Sequence, residues 1–118
     1  MANVLIVDDD QRLLEATAAL LESAGHTVTC AGDGELALRL ARADRIDIVL
    51  TDYMMPVMDG LQLARAIGLD PVLSAIPVVL VSAVATPLVG SPIRASLRKP
   101  FTGASLLELI ARLALRRS

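Results

Sequence analysis

Short unbroken apolar runs alternate along this chain with longer stretches in which apolar residues recur every three or four positions. Val4-Leu5-Ile6-Val7, Ile48-Val49-Leu50-Thr51 and Val78-Val79-Leu80-Val81 are the β-branched-rich runs expected of strands buried on both faces of a parallel sheet. His26-Thr27-Val28-Thr29-Cys30 is half polar, which predicts an edge strand, and Ala95 to Leu97 is a short fifth candidate ending against Lys99-Pro100. Between the runs, Gln11 to Ala24 places Leu13, Leu14, Thr17, Ala18, Leu20 and Leu21 on one helical face, with Gly25 as its stop. Gly34 to Ala43 turns Leu36, Leu40 and Ala41 inward and Arg39 and Arg42 outward, and a third helix is predicted from Gly60 through Ile67, ending near Gly68 and Pro71. The last helix runs from an N-cap at Thr102 to about Arg116, with Leu106, Leu107, Ile110, Leu113 and Ala114 inward.

The order β-α-β-α-β-α-β-x-β-α predicts an α/β fold with an open, doubly wound parallel sheet. The irregular element x, Ala83 to Pro92, holds Pro87 and Pro92 around Gly90 and predicts a loop or at most one helical turn. At 118 residues the whole chain, 1–118, reads as a single domain. No apolar stretch reaches a membrane-spanning length, and the N-terminus has neither the length nor the flanks of a signal peptide, so a cytoplasmic protein with no membrane partner is expected. One cysteine and one histidine exclude an internal disulfide and a four-ligand zinc site; Cys30 is expected as a buried small hydrophobe and His26 at the surface.

Thirteen acids against eleven bases leave a formal charge of −2, and Tyr53 and Phe101 are the only aromatic residues. Neither a basic stripe nor a stacking platform for nucleic acid is present, so no direct nucleic-acid partner is expected. The charge matters more by position. In an open parallel sheet, ligands bind at the carboxyl ends of the strands. There the chain places Asp8-Asp9-Asp10 after the first strand, Asp52 ending the third, Ser82 ending the fourth, and Lys99, the only lysine, after the fifth. Asp10 suits a helix N-cap. Asp8, Asp9 and Asp52 brought together would repel one another by a few kcal/mol per close pair at an effective dielectric of about 20, which calls for cationic compensation. Lys99 supplies one charge, and a hard divalent cation with oxygen ligands would supply the rest, an arrangement equipped for phosphoryl transfer to a carboxylate.

Four blocks, Val4-Leu5-Ile6-Val7-Asp8-Asp9-Asp10, Asp52-Tyr53-Met54-Met55-Pro56-Val57-Met58-Asp59-Gly60, Val81-Ser82-Ala83 and Lys99-Pro100-Phe101, resemble the signature blocks of receiver domains of bacterial two-component response regulators. The resemblance spans nearly the whole chain and implies a CheY-like, flavodoxin-like five-stranded sheet of order 2-1-3-4-5. It implies that Asp52 is the phosphoacceptor for a histidine kinase or phosphotransfer protein. Asp8, Asp9, Asp52 and the backbone carbonyl of Met54 would hold Mg²⁺ or Mn²⁺, and Ser82 and Lys99 would bind phosphoryl oxygens. It also implies a cis Lys99–Pro100 bond. Pro56 and Gly60 are expected to shape the loop, Asp59 to cap the third helix, and Met55 and Met58 to pack.

Two departures from the family pattern concern output. Ser96 stands where receivers carry an aromatic switch residue, and only sixteen residues separate Ser82 from Lys99, so the family's fourth helix is expected to be reduced or disordered, with residues 83–92 ordering on phosphorylation. Leu109 and Leu115 widen the apolar arc of the last helix and suggest a homodimer or partner face. With no output domain following that helix, signalling through protein contacts is expected, from a stand-alone regulator or an excised receiver. The competing readings are a haloacid-dehalogenase-like phosphatase, suggested by Asp8-x-Asp10 but opposed by Arg12, and a receiver-like binding module with lost or altered switching.

Overall fold

The computed structural model describes residues 2–83 and 92–114. Its elements are β1 (Asn3–Val7), α1 (Gln11–Ser23), β2 (Thr27–Ala31), α2 (Gly34–Ala43), β3 (Ile48–Asp52), α3 (Gly60–Leu69), β4 (Val78–Ser82), β5 (Ala95–Arg98) and α4 (Gly103–Ala114). All pairings are parallel and the strand order is β2-β1-β3-β4-β5, as expected.

The continuous apolar runs are explained by burial on both sides, because alternate residues of one strand enter different cores. Leu5, Val7, Val49, Val78 and Leu80 pack against Ala37 and Ala41 of α2 and Leu63, Ala64 and Ile67 of α3. Val4, Ile6, Ile48, Leu50, Val79 and Val81 pack on the other face against Leu14 and Leu21 of α1 and Leu106, Leu109, Ile110 and Leu113 of α4. Strand order reverses between β1 and β3, so the loops leaving those two strands diverge and open a cleft at their carboxyl ends.

Helix ends follow the local chemistry. Asp10, Asp33 and Asp59 cap α1, α2 and α3 by accepting backbone N–H groups of the first turn, and Asp59 forms a reciprocal capping box with Gln62. The Thr102 hydroxyl accepts the Ser105 N–H at the start of α4. At the end of α1, His26 N–H donates to Leu21 C=O and Gly25 N–H to Glu22 C=O, a Schellman closure that sets Gly25 at φ +93°.

Some expectations are corrected. His26 lies outside β2, because its Nδ1 accepts the Ala2 N–H and its ring is held at the strand's entrance. Cys30 is exposed, since β2 is an edge strand and the thiol lies on its uncovered margin. Leu109 is only 7% exposed and belongs to the core, one helical turn from both Leu106 and Leu113, so it offers nothing to a partner. Helix α3 ends at Leu69, between Gly68 and Pro71 as expected. The expectations for residues 84–91 and for Leu115 lie outside the described residues. Among the described residues no helix is long and apolar enough to cross a membrane.

Candidate functional site

The cleft at the carboxyl ends of β1 and β3 gathers the predicted acids. Oxygens of Asp8, Asp9 and Asp52 all lie within 4.8 Å of one another. Their placement follows from the strands: β1 ends at Val7, so Asp8 and Asp9 begin the loop, while Asp52 is the last residue of β3 and stays in register with Val81 of β4. Asp8 is buried and Asp9 is exposed. The Asp8 carboxylate accepts the Asp10 N–H at 2.9 Å, tying the cluster to the start of α1.

Lys99 enters from the loop after β5 and donates from Nζ to Asp52 Oδ1 at 3.0 Å. Its backbone is fixed by donation from Lys99 N–H to Ser82 C=O at 2.8 Å, and the Lys99–Pro100 bond is cis. Ser82 ends β4, buried, beside the end of β3. Met54 lies in the β3–α3 loop with its side chain exposed.

The loop carrying Met54 is shaped by Gly60, whose N–H donates to Tyr53 C=O at 2.8 Å. A Cβ at Gly60 would run into the Asp52 carbonyl and the Leu80 side chain, so only glycine lets α3 start this close to the site. Met55 is buried and Met58 half-buried against the core, as expected of packing residues. Thr51 was not among the predicted site residues, yet it is fully buried and its hydroxyl donates to the Asp52 carbonyl at 2.9 Å. A lone hydroxyl ending an apolar run was the available signal.

Charge crowding leaves a mark on Asp8. Burial pushes its carboxyl above the ordinary aspartate value, and the neighbouring Asp52 and Asp9 charges push the same way, against the Asp10 N–H and the Lys99 ammonium. Three carboxylates and one ammonium leave an excess of negative charge on hard oxygen donors. That donor set fits a divalent cation such as Mg²⁺ and suits a softer metal poorly.

The fold and this cleft together define a doubly wound α/β module with an acidic cleft where its strand order reverses. Residues 4–111 match the response regulator receiver domain family, and the chain belongs to it. The chain is 42% identical over 82 residues to Protein PilH of Pseudomonas aeruginosa, covering 70% of this chain and 68% of that protein. Longer relatives carry more: the match takes in 11% of the gliding motility regulatory protein of Myxococcus xanthus and 50% of the transcriptional regulatory protein CseB of Streptomyces coelicolor. The chain thus spans only a part of several curated relatives. Among solved structures, the chemotaxis protein CheY4 of Vibrio cholerae superposes with a TM-score of 0.87 at 31% identity, covering 96% of this chain and 98% of that one. The receiver domain of the sensor histidine kinase PA1611 from P. aeruginosa, with a magnesium ion coordinated in its active-site cleft, gives a TM-score of 0.87 at 29% identity, over 96% of this chain and 97% of that one. The chain is therefore a response-regulator receiver of two-component systems, a signalling class and not a classical enzyme.

Proposed function

We propose that Asp52 accepts a phosphoryl group from the phosphohistidine of a histidine kinase or phosphotransfer protein, and that the modified domain signals through protein contacts. The convergence of Asp8, Asp9 and Asp52 within 4.8 Å, with the Lys99 ammonium 3.0 Å from Asp52, carries this reading. In the transfer, a carboxylate oxygen of Asp52 attacks phosphorus, the P–O bond forms as the P–N bond of the donor breaks, and the imidazole leaves with the electron pair and takes up a proton.

Asp8, Asp9, Asp52 and the Met54 carbonyl would hold Mg²⁺, which when bound neutralises negative charge on the approaching phosphoryl group. The remaining roles belong to this chain's own groups. Lys99, already paired with Asp52, would pass its ammonium to a phosphoryl oxygen as the carboxylate becomes an acyl phosphate. The Ser82 hydroxyl, at the end of β4, would donate to another.

Ser96, exposed on β5, supplies no ring to report this change, so the signal would leave the site through other contacts. Incubation with Mg²⁺ and phosphoramidate, followed by intact mass, tests the reading. Wild type should gain the mass of one phosphoryl group and Asp52→Ala should gain none. Equal uptake by the two proteins would refute it.

A further inference from the structure

We propose that β2 pairs antiparallel with the β2 of a second copy of this chain, across a two-fold axis through Thr29. The two edges of the sheet are unequally protected. Strand β5 carries Arg98 within it, with Arg94 and Lys99 directly beside it and Pro92 and Pro100 just beyond, all features that discourage another strand from adding. Strand β2, Thr27-Val28-Thr29-Cys30-Ala31, has no charge, no proline and high β propensity.

The backbone of β2 dictates which groups are on offer. Thr27 N–H donates to Ala2 C=O and Ala31 C=O accepts the Asp8 N–H, so Thr27, Thr29 and Ala31 direct their backbone groups to β1. Val28 and Cys30 direct theirs away from the sheet, where no described residue bonds them. This outward set reads the same in either direction about Thr29. Antiparallel pairing therefore sets Val28 of each copy opposite Cys30 of the other as hydrogen-bonded pairs, giving four interchain bonds. Thr29 faces Thr29 as the central non-hydrogen-bonded pair, a favourable threonine–threonine contact.

A different protein's strand could meet these donors too, but a strand that carries no charge of its own and whose outward backbone groups are symmetric about Thr29 matches its own copy bond for bond. Thr29 and Val28 are only half-buried, so the partner strand has apolar surface to cover on both faces. A pair of five-residue strands lies at the small end of protein interfaces, so the dimer is weak and depends on concentration.

Sedimentation of the unphosphorylated chain from micromolar to near-millimolar concentration tests the pairing. The weight-average mass should climb from the 12.4 kDa of one chain toward twice that value. Thr29→Lys, which sets two ammonium groups face to face, should weaken association about tenfold or more, while Thr29→Ser should leave it intact. Should Thr29→Lys fail to fold, Cys30→Lys at the exposed neighbouring position sets two ammonium groups diagonally across the pair and should also weaken association, by a smaller factor. Cys30 also reports directly, because the two thiols would sit diagonally with Cα atoms about 7–8 Å apart. A short bismaleimide should link two chains of wild type and, at the same concentration, several-fold fewer of the Thr29→Lys protein. A mass that stays at one chain throughout, or a folded Thr29→Lys variant that associates like wild type, would overturn the proposal. No readout involves Asp52, so failure here is distinct from failure of the phosphoacceptor reading.

Discussion

The helix N-termini and the acidic cleft share one end of the sheet and are built from the same residue type, yet their charges work in opposite directions. Asp10, Asp33 and Asp59 each accept backbone N–H groups at a helix start, where peptide dipoles welcome a negative charge. Asp8, Asp9 and Asp52 face one another, with Lys99 the lone ammonium beside them. A capping aspartate stabilises the fold by being charged. A cleft aspartate costs the fold stability until a cation relieves it.

The largest effect should come from the cation itself. Mg²⁺ at about 100 times its dissociation constant should stabilise the protein by about 2.7 kcal/mol, and Asp9→Asn should weaken that gain severely. A thermal melt with and without Mg²⁺ measures both, and an unchanged melting temperature in wild type would break the contrast.

Gly60→Ala comes next, because the added methyl meets the Asp52 carbonyl and Leu80. A loss of about 1–3 kcal/mol in urea unfolding is expected, with reduced phosphoryl uptake, since the collision lies in the backbone of the site residue itself.

The sharpest form of the contrast replaces one residue type in both regions. Asp59→Ala removes a cap and should cost about 1 kcal/mol, with the Mg²⁺ response retained. Asp9→Asn, measured without divalent cation, should instead stabilise by a few tenths of a kcal/mol, because it relieves repulsion at an exposed position. Destabilisation by Asp9→Asn under those conditions would contradict the account.

The smallest effect is a difference of sign in pH dependence. Asp8 is held above the ordinary 3.8, first by burial and then by its acidic neighbours. Its contribution to stability is therefore full below pH 3.8 and lost as pH rises through its raised native value. Asp70, at the other end of the sheet, is held below 3.8, first by the Val72 N–H and then by Arg42. Its contribution is full above pH 3.8 and lost as pH falls through the lowered value. Carboxyl-carbon NMR titration should find the two midpoints on opposite sides of 3.8, and Mg²⁺ should move Asp8 downward while leaving Asp70 in place.

Much of this was legible in the sequence, for physical reasons that also mark where legibility ends. Runs such as Val78 to Val81 declare a doubly covered strand because both faces must be apolar, and a strand's end fixes which residue enters the cleft. Asp52, Ser82 and Lys99 were readable on those grounds together with the family pattern. Cys30 was misread because its type is usually buried, whereas burial at an edge depends on what covers it. Leu109 was misread because the rotation of α4 about its axis is set by contacts with β3 and α1, which sequence spacing does not record. The contribution of Thr51 lies in a hydroxyl bond to a neighbouring carbonyl, and composition is silent about such bonds.

On the proposed reading, Asp52 takes the phosphoryl group while Asp8 and Asp9 serve the cation. Borohydride reduction of the phosphorylated protein converts the aspartyl phosphate to homoserine with loss of phosphate, and peptide mass spectrometry locates it. Homoserine at position 52 is the predicted result; homoserine at position 8 or 9, with Asp52 unmodified, would contradict the account.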